Sequence, residues 1–369
     1  MTIKINTAKG ALFLALVLYP LGSQAGEFAP DPEYISDQMM PFFKGKTPAQ
    51  IAPYLAHHSS NPYHAAAKAL AAHGQQALPL IEKLLGDSNP WLRAGATHTL
   101  GIMFRDDEPD RKTPRKVTPE YLRAVALAAT MLNDDHPAVQ EALGGFVQAV
   151  QVDTPETRKM ALFMAASTDP AVRGQANNMA RRLFKDPATV IKICTIVGAA
   201  RDGNTPDHWN IAYLMLKEHK NNPLVREAFP SYAWFLCHLA NSRPYRGFFS
   251  DGAQNHMMEV LQVQWDDTTE TVPDLVPGLC RSYVRVPYHP YPGWVKTRKL
   301  AIELLGRGTA KSAPVILATC AEEKQWLAEV DDVTFSTTVE FRTPLAEAKA
   351  QGRQYISDLE ALAAKLANK

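Results

Sequence analysis

The chain has 369 residues, and its 39 basic and 38 acidic side chains leave a formal net charge of only +1. This balance argues against a general nucleic-acid-binding protein, which would carry an excess of basic residues. The length exceeds what one globular core usually organises, whereas a repeat array has no such limit because its core grows with each added unit.

The N-terminus has the features of a secretory signal peptide. Lys4 and Lys9 supply positive charge, an apolar run covers 11–21, and Ser23-Gln24-Ala25 offers small residues to signal peptidase. The run is shorter than the roughly 20 apolar residues that span a bilayer. We expect cleavage near Ala25-Gly26, a periplasmic or secreted mature protein, and no membrane span after cleavage. An uncleaved membrane anchor is the alternative.

Apolar periodicity predicts a succession of helices separated by short polar turns. One helix begins at Asn61 and is stopped by Gly74. The others cover 48–58, 76–85, 90–104, 119–132, 137–151, 155–167, 170–185, 187–200, 207–220, 223–240, 253–265, 273–283, 295–306, 310–320, 322–330 and 344–367. A charged segment with two prolines, 105–118, is predicted to be an exposed loop, and alternating apolar residues at 334–341 indicate a lone strand.

A short phrase recurs at the start of several of these helices: a polar residue, a proline, two further residues and then usually Arg. A polar cap followed by proline in the first turn is a helix-start signal. The phrase reads Asn89-Pro90-Trp91-Leu92-Arg93, His136-Pro137-Ala138-Val139-Gln140, Asp169-Pro170-Ala171-Val172-Arg173 and Asn222-Pro223-Leu224-Val225-Arg226. Such recurrence predicts stacked helical hairpins. Counted from Pro62, the prolines are 28, 47, 33 and 53 residues apart, which implies insertions or irregular turns.

The segments Leu78–Asp87 and Pro90–Ala96 form the clearest unit: a leucine-bearing helix, an Asp-bearing turn and a second helix that opens with Pro and Arg. This unit resembles a bacterial HEAT repeat, and the resemblance covers about residues 60–240. It implies an all-α, right-handed α-solenoid of stacked antiparallel helix pairs, HEAT- or armadillo-like, and irregular in the C-terminal third. It also implies an Asp–Arg ladder between repeats, which Gln140 at an Arg position would weaken.

These observations divide the chain into four parts. We expect a signal peptide at 1–25, an irregular lead-in at 26–47 and HEAT-like repeats at 48–240. The remaining part, 241–369, is expected to be an irregular helical region with a Pro- and aromatic-rich loop. Its last helix is expected to cap the stack, as terminal repeats must.

Four cysteines follow the predicted signal peptide: Cys194, Cys237, Cys280 and Cys320, spaced by 43, 43 and 40 residues. An even number in an oxidising compartment permits two disulfides. Equivalent positions of adjacent repeats, however, are roughly 8–10 Å apart, which exceeds the Cα separation of about 7 Å that a disulfide tolerates. We therefore favour buried free thiols, with disulfides as the alternative.

No familiar catalytic or cofactor motif is present: the sequence lacks HExxH, GxSxG, GxGxxG and a P-loop. We therefore expect no cofactor and infer no catalysis. The histidines do not show the i, i+4 spacing of helical metal ligands, and no acidic cluster accompanies them. His57, His58, His64 and His73 are expected to be solvated or capping, His98 to be packed, and no metal site is predicted.

Basic and aromatic residues alternate over 281–298 and again over 243–249. Such side chains can stack on sugar rings and bind carboxylate or sulfate groups. The candidate ligand-binding residues are Arg243, Tyr245, Arg246, Arg285, Tyr288, His289, Tyr291, Trp294, Lys296 and Arg298. If both segments converge with 207–210, they form one groove in the C-terminal half. The alternative is that these aromatics fill a junction between two superhelical segments.

Two functions are compatible with this pattern. We expect an exported binding scaffold for another protein or an extended polymer. The alternative is a polysaccharide-degrading enzyme, a lyase or hydrolase on an α/α scaffold, because such lyases resemble this chain in being exported and helical. In that hypothesis Asn255 neutralises charge, His256 is the base, Tyr288 the acid and Arg285 the substrate clamp.

Overall fold

The computed structural model describes residues 39–57, 61–104, 117–200, 206–241, 249–285, 292–330 and 344–369. Within these ranges the chain is helical, without strands, and its helices pack against neighbours in sequence order. The fold is therefore all-α and solenoid-like. The predicted signal peptide, the predicted strand at 334–341 and most of the predicted loop at 105–118 lie outside the described residues.

In chain order, the α-helices are α1 (Pro48–Ile51), α2 (Asn61–Ala71), α3 (Leu78–Leu85), α4 (Pro90–Met103), α5 (Pro119–Ala129), α6 (Pro137–Ala149), α7 (Pro155–Ala165), α8 (Pro170–Leu183), α9 (Pro187–Gly198), α10 (Pro206–Glu218), α11 (Phe229–Asn241), α12 (Phe249–Gln264), α13 (Leu275–Arg285), α14 (Pro292–Leu305), α15 (Ser312–Glu329) and α16 (Leu345–Ala367). Short 3-10 turns are found at Ala52–Ala56, Gly74–Ala77, Thr130–Asn133, Pro223–Ala228 and Thr269–Thr271. No helix of the described part is both long enough and apolar enough to cross a membrane.

The helices alternate between two layers. In the even layer, α2, α4, α6, α8, α10, α12 and α14 each pack on the next. In the odd layer the same holds for α3, α5, α7 and α9 and for α11, α13 and α15, whereas α9 packs on the 3-10 turn at Pro223–Ala228 that leads into α11. Across the layers, α3 packs on α4, α7 on α8, α9 on α10 and α13 on α14. The C-terminal helix α16 packs on α15 and α13. Each pair of helices therefore buries its apolar side against the pairs before and after it.

The recurring phrase begins a helix at all four of its positions. The side chains of Asn89, His136, Asp169 and Asn222 each accept a hydrogen bond from the backbone N–H two residues later. This satisfies a donor that the first turn leaves without a partner. The local signal was therefore interpreted correctly as a helix start.

The phrase does not mark one fixed position in the repeat. Its first three copies open α4, α6 and α8 in the even layer, whereas Asn222 precedes the 3-10 turn that leads into α11 in the odd layer. The 53-residue interval before Pro223 therefore holds α8, α9 and α10, three helices instead of two. Thr118, Thr154 and Asp186 cap helices of the odd layer in the same way, each followed by proline.

Arg–Asp contacts link neighbouring helices of a layer at two of these positions. Arg93 of α4 binds Asp134, which lies just before α6. Arg226, in the 3-10 turn before α11, binds Asp266 in the segment between α12 and α13. Gln140 instead donates to the carbonyl oxygen of Asp134 at 2.5 Å, within its own turn. At this position the described structure shows a bond within one turn and not an Arg–Asp contact between helices.

All four cysteines are free thiols. They lie on α9, α11, α13 and α15, which are successive helices of the odd layer. Cys194, Cys280 and Cys320 are buried and Cys237 is half-buried. The structure thus confirms the sequence-based preference for thiols.

One helix boundary in the C-terminal part was predicted wrongly. The sequence suggested separate helices at 310–320 and 322–330, whereas α15 runs without a break from Ser312 to Glu329. Ala321, the one residue between the two predicted helices, is a good helix former, and no glycine or proline lies beside it. The helix continues because no residue there disfavours it.

Candidate functional site

Three neighbouring helices of the even layer, α10, α12 and α14, lie side by side in the C-terminal half. A Cβ placed on Gly252 would be only 3.1 Å from Oδ1 of Asn210, which brings the first turns of α10 and α12 together. Further along the same two helices, Lys217 pairs with Glu259. Because the contacts follow the same order along both helices, α10 and α12 are parallel.

The contacts between α12 and α14 show the same arrangement. Asn255 contacts Gly293 near the start of α14, and Gln262 donates to Glu303 near its end. The first turns of α10, α12 and α14 therefore lie at one edge of the even layer. The segments 201–205, 242–248 and 286–291 lead directly into these three helices.

A carboxylate at the centre of these helices joins two lysines from different helices. Lys217 Nζ donates to Oε2 of Glu259 at 2.8 Å, and Lys296 Nζ donates to Oε1 at 2.6 Å. Burial acts to raise the pKa of Glu259, but the bonds from the two lysines outweigh it and lower that pKa. Lys217, Glu259 and Lys296 form a row of two cations and one anion, which carries one net positive charge at neutral pH.

His256 lies one turn before Glu259 and is half-buried. Burial, and then the charge of Lys217, lower the pKa of His256 to about 4, so its imidazole is neutral at pH 7. Within the described part of the chain, His256 Nδ1 and Asn210 Oδ1 are both buried without a hydrogen-bond partner. Buried polar atoms in native proteins normally have partners, so these two atoms are exceptions within the described residues.

Exposed apolar side chains surround this polar row. Leu214 of α10 is 39% exposed, Val263 of α12 is 45% exposed and Val295 of α14 is 51% exposed. Leu214 and Val263 each lie about one turn from a charged member of the row, and Val295 is adjacent to Lys296. We define the α10–α12–α14 face by its eight side chains: Asn210, Leu214, Lys217, His256, Glu259, Val263, Val295 and Lys296.

Two of the candidate catalytic residues lie next to each other on α12, and one of them has a structural role. Asn255 is buried; its Nδ2 donates to the carbonyl oxygen of Gly293 at 3.2 Å, and its Oδ1 accepts from Thr297 Oγ1 at 3.2 Å. The Asn255 amide therefore holds α12 against α14. His256 instead belongs to the α10–α12–α14 face.

The structure places Arg285 in the other layer, at the end of α13. Its Nε and Nη2 donate to the two carboxylate oxygens of Glu323 at 2.7 and 2.8 Å. Glu323 is completely buried, and the guanidinium also lies 4.4 Å from the ring centre of Trp326. Arg285 therefore joins α13 to α15.

Two other candidate ligand-binding residues pack between helices. Trp294 is only 3% exposed, and Arg298 is 8% exposed with its guanidinium 5.0 Å from the ring centre of Tyr355 on α16. Lys296, by contrast, is exposed on the α10–α12–α14 face. The remaining candidates lie outside the described residues: Arg243, Tyr245, Arg246, Tyr288, His289 and Tyr291.

A separate polar cluster lies on α2 and α4, at the other end of the stack. His64 Nδ1 is 3.3 Å from His98 Nε2, and the ring of Tyr63 stacks on His98 with centres 5.5 Å apart. Burial, and then Lys68, lower the pKa of His64. A search for i, i+4 pairs misses this contact because the two histidines are 34 positions apart on neighbouring helices.

Comparison of the chain with protein-family models, with curated proteins and with solved structures finds no match. The functional proposal is therefore based on the two-layer fold and on the chemistry of the α10–α12–α14 face.

Proposed function

We propose that the chain is an exported, non-catalytic binding scaffold of the HEAT type, and that its α10–α12–α14 face binds an extended segment of a partner protein. The main support for this proposal is the combination of side chains on this face. Exposed apolar side chains surround two lysines that share one carboxylate, beside a neutral imidazole whose Nδ1 has no partner in the described structure. Export is supported by the signal-peptide features of residues 1–25.

The repeat assignment is supported by the spacing of contacts between neighbouring helices of a layer. Arg93–Asp134, Arg123–Glu82, Gln262–Glu303 and Arg281–Glu322 each join residues that are 41 positions apart. This separation falls in the HEAT period of about 40–47 residues. Other same-layer contacts are more closely spaced, 34 positions for His64–His98 and 38 for Arg285–Glu323, so the length of the unit varies along the chain.

The dimensions and charge of the face favour a particular kind of segment. Neighbouring helices are roughly 8–10 Å apart, so a chain crossing α10, α12 and α14 covers about 16–20 Å. An extended polypeptide advances about 3.3 Å per residue, so five or six residues cross the face. The net positive row and its apolar surroundings suit a segment that carries both acidic and apolar side chains.

The contacts give the enzyme alternative less support. Both ends of the Asn255 amide are engaged by α14, and Arg285 is bound to a buried glutamate in the other layer. A charge neutraliser and a substrate clamp would need those groups to face the substrate. We therefore favour binding without catalysis.

Site-specific photo-crosslinking in the source organism tests this proposal. A photoreactive amino acid replaces Val263 on the face and, as a matched control, Leu317 on α15, which is 48% exposed in the odd layer. We expect a discrete protein adduct from position 263 and none from position 317. Equal labelling at both positions, or labelling at 317 alone, contradicts the proposed face. A polysaccharide adduct at position 263 would show that the partner is an extended polymer and not a protein.

A further inference from the structure

The imidazoles of His64 and His98 face each other from neighbouring helices at one half-buried position. His64 Nδ1 and His98 Nε2 are 3.3 Å apart. The ring of Tyr63 lies nearly parallel to His98, at 17°, and meets His64 edge-on at 84°. Contacts with Tyr63 on two sides fix the orientation of both imidazoles.

This nitrogen–nitrogen separation matches the edge of a metal-coordination tetrahedron. Zinc–imidazole bonds are about 2.0–2.1 Å long, so two nitrogens bound to one tetrahedral zinc ion are about 3.3–3.4 Å apart. The same separation suits a hydrogen bond between the rings. Because two such bonds together exceed the separation, the metal ion lies to one side of the line between the nitrogens. One ring must also change tautomer, so that both nitrogens present lone pairs.

We propose that His64 and His98 form a binding site for a transition-metal ion of the zinc or copper class, with the remaining positions taken by water. Within the described residues, no group of three or more histidine, cysteine, aspartate or glutamate side chains is already arranged around a metal position. The protein ligands of the site are thus the two imidazoles.

Metal bound here would join α2 to α4, both in the N-terminal half of the stack. A ligand that binds only the folded protein stabilises it, by an amount that grows with the metal concentration relative to Kd. The site shares no residue with the α10–α12–α14 face, so the failure of one proposal does not affect the other.

The test uses metal-free protein without a histidine tag. Zn²⁺ alone is titrated into the protein and followed by calorimetry and by thermal unfolding. We expect about one zinc ion per chain and a raised Tm. Both effects should be lost in His64→Gln and in His98→Gln, and retained in His219→Gln, which changes a histidine beyond the end of α10.

A second measurement keeps the test informative if the variants unfold. Cu²⁺ replaces Zn²⁺ in the wild-type chain, and electron paramagnetic resonance reports the ligands directly. Hyperfine splitting from two imidazole nitrogens supports the site. Absence of binding by the wild-type chain, undiminished binding by folded His64→Gln and His98→Gln variants, or a copper spectrum without nitrogen ligands overturns it.

Discussion

Arg93 of α4 donates from Nε to Oδ2 of Asp134 at 2.6 Å and from Nη2 to Oδ1 at 3.1 Å, and so links two neighbouring helices of the even layer. Arg93 Nη1 also donates to the carbonyl oxygen of Asp87 at 2.9 Å. A single guanidinium thereby fixes the turn before its own helix and the turn before the next one. The bond from Arg93 lowers the pKa of Asp134 below its usual value.

Removing this contact should weaken the stack. The side chains of Arg93 and Asp134 are 19% and 8% exposed, so Arg93→Gln leaves a mostly buried carboxylate without its partner. We expect the free energy of unfolding to fall by about 1–3 kcal/mol, the cost of leaving a buried polar group without a partner. Urea unfolding followed by circular dichroism measures the change.

The Arg123–Glu82 pair provides a matched control, because it also joins neighbouring helices over 41 positions but both side chains are 51% exposed. Arg123→Gln should change the free energy of unfolding by less than about 1 kcal/mol, because exposed ion pairs contribute little. Equal losses from the two substitutions would show that burial does not decide the strength of these links.

Two glycines should respond to alanine in opposite ways. A Cβ on Gly95 would lie 2.7 Å from Cβ of Leu55, so Gly95→Ala should push the 3-10 turn away from α4 and reduce stability by about 1–3 kcal/mol. A Cβ on Gly145 meets nothing within 4 Å, so Gly145→Ala in α6 should stabilise the chain by about 0.5–1 kcal/mol. Thermal unfolding of both variants tests this, and a rise in Tm for Gly95→Ala would contradict the close packing.

His256 should make stability depend on pH. Its pKa is lowered to about 4 in the folded chain, against an ordinary value of 6.5. The unfolded chain therefore binds a proton at higher pH than the folded one, so the native state loses stability as the pH falls from about 6.5 to about 4. In His256→Gln the urea midpoint should decrease less between pH 7 and pH 5 than in the wild-type chain. Identical decreases would exclude a neutral, buried imidazole.

The cysteines should behave as unreactive thiols. Burial raises the pKa of Cys194 to about 12 and that of Cys320 to about 11, and it also raises the pKa values of Cys237 and Cys280. Because the thiolate is the reactive form, native protein should react slowly with a disulfide reagent, with Cys237 the fastest of the four. After unfolding without reductant, all four thiols should be labelled. Fewer would reveal a disulfide.

The helices and their stacking were predictable because their signals are local. The side chain of a residue such as Asn89 or Asp169 caps the first turn of a helix, so that residue type marks the helix start in the sequence. The periodicity of apolar residues then predicts which side of the helix is buried. The layer to which each helix belongs was not predictable from the phrase. Prolines open helices in both layers, so Asn222 begins the same Asn-Pro-x-x-Arg pattern as Asn89 but precedes a helix of the opposite layer.

The candidate site was predictable only in part. The alternation of basic and aromatic residues predicted that Arg285 binds a ligand. Its partner is instead Glu323, 38 positions away on another helix, and no local sequence pattern indicates that bond. The His64–His98 contact was missed for the same reason. Lys296 and His256 were identified as candidates, yet their proximity to Lys217 and Glu259 depends on how α10, α12 and α14 pack.

Hydrogen–deuterium exchange with the partner captured at position 263 tests the central claim most directly. The purified partner is added to the full chain, and amide protection is compared helix by helix. The proposed scaffold predicts added protection in α10, α12 and α14, with the odd-layer helices α13 and α15 unchanged. Protection confined to the odd layer, or no change in α10, α12 and α14 at saturating partner, would contradict it.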